Sequence, residues 1–174
     1  MAENKKISLA ELNALPPKEF VRIVGPVFEH SPWIAEIAGE QRPFADFENL
    51  QRALCETVKN SSEEKQLALI RAHPDLVGKL ALAGQLTRES TNEQASAGLT
   101  QLTPGEVALF QNQNAAYKNK FGFPFVICAR LNKKDAILKG FEWRLKNSPA
   151  QEIKTALEEI FKIAELRLRD LTQG

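Results

Sequence analysis

The chain has 174 residues, 43% of them apolar and 26% charged, with a formal net charge of +1. That composition suits a soluble globular protein of one domain and is wrong for a disordered chain. A balance of 23 Lys and Arg against 22 Asp and Glu gives no broad basic face for nucleic acid, and no apolar run approaches the roughly 18 residues that span a bilayer.

The polar opening, Met1 to Ser8, has no apolar stretch, so no secretory signal is expected and a cytoplasmic setting is. Ser8 reads as the N-cap of a helix over Leu9 to Leu15. Lys18 to Phe28 carries apolar residues at helical spacing. Ser31-Pro32 reads as N-cap and first helical residue of a short helix with Trp33, Ile34 and Ile37. Phe47, Leu50, Leu54 and Val58 form the next stripe. Ser61 or Ser62 caps a helix that must end near His73, because a residue before proline avoids the α region. Thr103-Pro104 starts a long polar helix toward Tyr117. The last helices are expected over Lys133 to Lys146 and Pro149 to Thr172, the second capped by Ser148. Phe123 to Ala129 is strand-like, but Pro124 weakens it. The prediction is an all-α, single-domain bundle of about eight to ten helices over residues 1–174.

Few residues could carry chemistry. Arg167 falls three, four and seven residues after Ala164, Ile163 and Ile160 and four before Leu171, so it projects from the apolar face of the last helix. Arg169 points to the polar side. An inward guanidinium requires an anion, either a structural Glu or Asp or a ligand carboxylate or carbonyl-rich ring. His73 ends a helix at a loop, where it is either a surface or capping residue or one that reaches a cleft. Ser90 and Glu93 match a capping box; Glu93 and Gln94 could equally aim an acid/base and an amide into a pocket. The backbone from Val126 to Ala129 could offer polar groups to a ring amide. Cys128 reads as core, since a nucleophile requires an electropositive setting. With only two cysteines, Cys55 and Cys128, no disulfide framework is expected; with only two histidines, no three-histidine metal site is possible. No metal is expected.

Taken together, His73-Pro-Asp-Leu-Val-Gly78, Ser90-x-x-Glu-Gln-x-x-Ala-Gly-Leu99 and Tyr117-x-x-x-Phe-Gly-Phe-Pro-Phe-Val-Ile-Cys-Ala129 resemble the OHCU decarboxylase family. Leu12-Asn13 with Phe20, Glu29-His-Ser-Pro-Trp33, Arg42-Pro-Phe44, Arg144-Leu-x-Asn147 and Glu165-Leu-Arg167 extend the likeness from about Leu9 to Leu171. The resemblance implies an all-helical homodimer without cofactor, acting on a small molecule and not on nucleic acid or membrane. The activity the resemblance implies is decarboxylation of 2-oxo-4-hydroxy-4-carboxy-5-ureidoimidazoline to (S)-allantoin in urate degradation. It implies His73 and Glu93 as catalytic residues, and Pro74, Ser90, Gln94, Phe125, Ile127 and Arg167 as substrate-binding ones. The ending Leu171-Thr-Gln-Gly174 is not a peroxisomal signal, so a bacterial-type cytoplasmic enzyme is expected. Two other readings compete: a helical adaptor that grips a partner helix in a groove, and a hydrolase of a related ureido compound.

Overall fold

A computed structural model of the chain describes residues 6–173. Residues 1–5 of the polar opening and Gly174 lie outside the described residues. Within them the chain forms ten α-helices: α1 (Leu9–Ala14), α2 (Pro17–Val24), α3 (Trp33–Gly39), α4 (Phe47–Lys59), α5 (Glu63–Ala72), α6 (Lys79–Leu82), α7 (Arg88–Ser96), α8 (Pro104–Phe121), α9 (Lys134–Arg144) and α10 (Pro149–Leu171). The described residues contain no strand beyond one isolated bridge, Ile7 to Thr172. The all-α expectation and its helix number hold. No helix among them is long and apolar enough to cross a membrane.

The helices divide between two compact units. The first takes the chain up to Ala72 together with Phe161 onward; the second is His73–Ile160. In the first unit, Leu12, Phe20, Val24, Ile34, Leu50, Leu54, Ile70 and Leu168 are buried almost completely, the usual dominant gain on folding. Local chemistry sets the helix starts. Ser8 and Glu11 form a capping box on α1. The carboxylate of Asp46 accepts from Asn49 N at 2.7 Å to open α4, and Ser62, not Ser61, accepts from Lys65 N at 3.3 Å to open α5. Two expectations are corrected. The helix expected over Lys18 to Phe28 stops at Val24 and tightens into a 3-10 turn, Gly25–Val27, because Pro26 cannot donate to the preceding turn. Ser31 does not cap α3; its hydroxyl donates to Glu29 O at 2.9 Å.

In the second unit α8 begins at a Thr103–Glu106 capping box and runs one turn past Tyr117. It ends where Gly122 takes φ +76°, a left-handed conformation that costs glycine nothing. Ser148 and Gln151 cap α10 reciprocally, at 3.3 and 2.9 Å. The strand-like run from Phe123 forms no strand and leads into a 3-10 turn, Ala129–Leu131. Side chains take the place of a sheet partner. Arg144 donates to Val126 O, Glu159 accepts from Cys128 N at 2.8 Å and Asn132 donates to Cys128 O at 3.0 Å. The ring of Tyr117 packs on Phe121, Phe123, Phe125 and Phe141.

Candidate active site

Helix α5 stops at Ala72, as Pro74 requires, and His73 opens the second unit. His73 is 7% exposed, so the surface alternative is excluded. The residues after it make a tight turn, with Gly78 N donating to Asp75 O at 3.3 Å. Val77 sits in the turn at φ +54°. For a β-branched residue that is a strained conformation, costing about 1–3 kcal/mol, and it persists only where surroundings impose it. Gly78 is equally constrained: a Cβ there would lie 2.6 Å from that of Asp75.

Three side chains hold the loop. Gln94 Oε1 accepts from Val77 N at 3.1 Å and its amide lies 3.5 Å from Asp75 O. Asn114 Nδ2 donates to Leu76 O at 2.8 Å. Lys118 Nζ pairs with Asp75 Oδ2 at 2.9 Å. The loop is therefore tied to α7 and to α8.

On α7 the capping-box reading is corrected. The N-cap is Thr87, whose hydroxyl accepts from Ser90 N at 3.2 Å. Ser90 and Glu93 lie inside the helix, where the capping duty is already met. Their spacing acquires another meaning. Ser90, Gln94 and Ala97 follow at i, i+4 and i+7 and are all buried, with Glu93 half-buried beside them. The inward face of this helix is thus mostly polar.

The third string comes to the same unit. Helix α7 packs on the 3-10 turn Ala129–Leu131. Burial pushes the Cys128 thiol up, and the carboxylates of Glu159 and Glu93 act in the same direction. Cys128 is 1% exposed and inert core, as its sequence context suggested. Of the other residues in this run, Phe125 is buried and Ile127 half-buried.

Arg167 belongs to the first unit. It is buried, and its Nη1 lies 3.0 Å from Glu29 Oε2 and 3.4 Å from Pro26 O. The anion demanded by the helix wheel is present as a glutamate. Arg169 is exposed, as expected, and pairs with Glu165 at 2.9 Å. A cleft of about 960 Å³ in the same unit, bordered by Phe20, Val21, Glu36, Glu40 and Arg42, contains none of the candidate residues.

One buried group escaped sequence reasoning. Glu152, 0% exposed, accepts from Arg144 Nε, from the Tyr117 hydroxyl and from Asn147 Nδ2. Arg144 also lies over the Phe125 ring at 4.3 Å. Burial pushes the Tyr117 phenol up, so it stays a neutral donor to this carboxylate. The signal was available: Glu152 precedes Ala156 and Ile160 by four and eight residues, on the same stripe that flagged Arg167.

The second unit is thus a helical body in which the loop following a buried histidine docks, through Gln94, on the polar face of α7. The chain belongs to the OHCU decarboxylase family, whose sequence profile matches residues 13–169. It is 43% identical over 167 residues to the 2-oxo-4-hydroxy-4-carboxy-5-ureidoimidazoline decarboxylase of Amia calva, covering 96% of this chain and 95% of that one. The enzyme of the same name from Halalkalicoccus jeotgali is 41% identical over 167 residues, 96% of this chain and 93% of its own. Among solved structures, an (S)-allantoin synthase superposes with a TM-score of 0.78 at 28% identity, over 96% of this chain and 54% of the other.

Proposed function

We propose that this chain is the carboxy-lyase of urate degradation that converts 2-oxo-4-hydroxy-4-carboxy-5-ureidoimidazoline to (S)-allantoin. The observation that carries this reading is the family match together with the docking of the buried His73 loop on the helix of Glu93, through Gln94 itself.

The substrate bears a carboxylate and a hydroxyl on one ring carbon beside a C=N bond. When the carbon–carboxylate bond breaks, its electron pair moves into the C=N, whose nitrogen takes up a proton. The hydroxyl proton then leaves, the carbonyl forms, and the neighbouring ring carbon is protonated from one face. The ring is its own electron sink, and the reading assigns no cofactor and no metal. The protein's tasks are to hold the ring, worth several kcal/mol of barrier, to keep water from the carboxylate, and to move protons, worth about 10²–10⁴-fold.

In this reading His73 and Glu93 handle the hydroxyl and carboxylate and relay the protons. Arg167 and Gln94 clamp the ring and ureido group, and Ser90, Pro74, Phe125 and Ile127 complete the substrate-binding set. Arg167 supplies a fixed positive charge, a role that rests on the family resemblance. A homodimer in the cytoplasm is the assembly that resemblance supports.

The test uses freshly generated urate-oxidation intermediate, with CO₂ release and the chirality of the allantoin as readouts. The intermediate decays by itself to racemic product, so chirality is the decisive signal. His73→Ala and Glu93→Ala are each expected to lower the enantiospecific rate by about 10²–10⁴-fold while the helical circular dichroism is kept. Undiminished turnover in both variants would remove the mechanism.

A further inference from the structure

We propose that Asn114 is a positioning residue for His73, fixing the strained loop by donating its side-chain amide to Leu76 O. The inference rests on the catalytic role of His73 proposed above.

Asn114 is the only polar residue of the amide type on the buried face of α8, which otherwise presents Phe110, Tyr117 and Phe121. Its Nδ2 meets Leu76 O at 2.8 Å across 38 residues of sequence. Its Oδ1 is buried without a hydrogen-bond partner among the described residues. A buried acceptor left unsatisfied is costly, and asparagine is a poorer helix former than an aliphatic residue. Stability alone would place leucine here. What asparagine adds is the one bond to Leu76 O.

That bond falls where the loop is most constrained. Leu76 lies between Val77, with its left-handed backbone, and Asp75. Asp75 Oδ1 is likewise buried without a partner among the described residues. Of the three holders, Lys118 is half-exposed in its pair with Asp75, and such pairs are weak. Gln94 is assigned to the ligand as well. Asn114 is as buried as Gln94 but has no ligand role assigned, and it stands one helical turn before Lys118, so that α8 is the platform on which the loop is built.

Two variants test this. Asn114→Leu keeps the volume and removes the donor; Asn114→Gln keeps a donor on a longer arm. With only two histidines in the chain, the imidazole nitrogen–proton NMR spectrum has two residues to report, the exposed His30 and the buried His73. Asn114→Leu is expected to lower kcat by about tenfold or more through misplacement of a reacting group, with KM and the melting temperature close to those of the parent. The His73 resonances should move and those of His30 should stay, while Asn114→Gln recovers part of kcat. A folded Asn114→Leu protein with parental kcat or an unmoved His73 signal overturns the proposal. So does early melting of both variants, which would make Asn114 a packing residue only. If the parent itself yields racemic allantoin, the functional reading fails instead, and the NMR arm still decides whether Asn114 positions His73.

Discussion

Each unit of the molecule buries an arginine–glutamate pair. Arg144 and Glu152 are eight residues apart and join two successive helices; Arg167 and Glu29 are 138 residues apart and join α10 to the segment after the first 3-10 turn. The first pair holds architecture. Glu152 gathers Arg144, Tyr117 and Asn147, and Arg144 pins the carbonyl of Val126 in the irregular run that carries Phe125 and Ile127. The second pair contains the arginine that the family resemblance assigns to the ligand. By burial and by the nature of the partner the two arginines are alike. A guanidinium on an apolar face beside a carboxylate therefore does not distinguish a structural role from a binding one. Only measurements that separate folding from turnover can.

The sharpest break is at Glu152. Glu152→Ala strands the Arg144 guanidinium in the interior and removes the acceptor of Tyr117 and Asn147. Breaking a buried pair in this way costs about 3–5 kcal/mol, which for a chain of this length lowers the melting temperature by on the order of 10 °C. Thermal unfolding followed by circular dichroism checks it. A melting temperature within a degree or two of the parent's would mean that the network is not what holds the second unit.

The other pair is expected to answer differently. Arg167→Leu removes the guanidinium beside the buried Glu29 carboxylate and should destabilise; adding Glu29→Leu replaces the pair by apolar groups, which is often neutral for stability. If Arg167 also holds the substrate, the double variant recovers its melting temperature but not its activity. Its kcat/KM should stay down by about a hundredfold, or roughly 2.7 kcal/mol of transition-state stabilisation. Recovery of both properties would make the two arginines equivalent and assign Arg167 to structure alone.

The comparison also marks what the sequence could disclose. Helix α10 was legible from its first residues because Ser148, Pro149 and Gln151 act locally. The wheel that exposed Arg167 would have exposed Glu152 had it been applied to carboxylates. The start of α7 was misplaced because Thr87 and Ser90 are both good caps, and Glu93 made the wrong one look complete. The strain at Val77 was invisible, since no local signal announces a left-handed valine. It is imposed by Gln94 and Asn114, 17 and 38 residues away from their partners in the loop. The run at Phe123 was legible as a break in the helices through Gly122 and Pro124. That its polar groups would go to side chains of Arg144, Glu159 and Asn132 depended on tertiary packing that periodicity does not contain.

A third pair, at the surface, sharpens the contrast from the weak end. Lys134 donates to Glu106 Oε1, with side chains 38% and 28% exposed. The Lys134 ammonium, followed by the Thr103 amide of the capping box, pulls the Glu106 carboxyl from 4.5 down to about 2. A carboxylate whose folded value lies below its unfolded one stabilises above pH 4.5, and that contribution is lost as the pH falls from there toward 2. Glu106→Gln keeps an acceptor for the Thr103 amide and removes only the charge. Its melting temperature should fall below the parent's at neutral pH by the smallest of the three shifts, since exposed pairs contribute little. The gap should close as the pH is lowered through that window, and it should narrow in molar salt, where screening is strong. A gap that persists in acid would mean the effect comes from the helix cap and not from the ion pair, whereas the buried pairs should be nearly indifferent to salt.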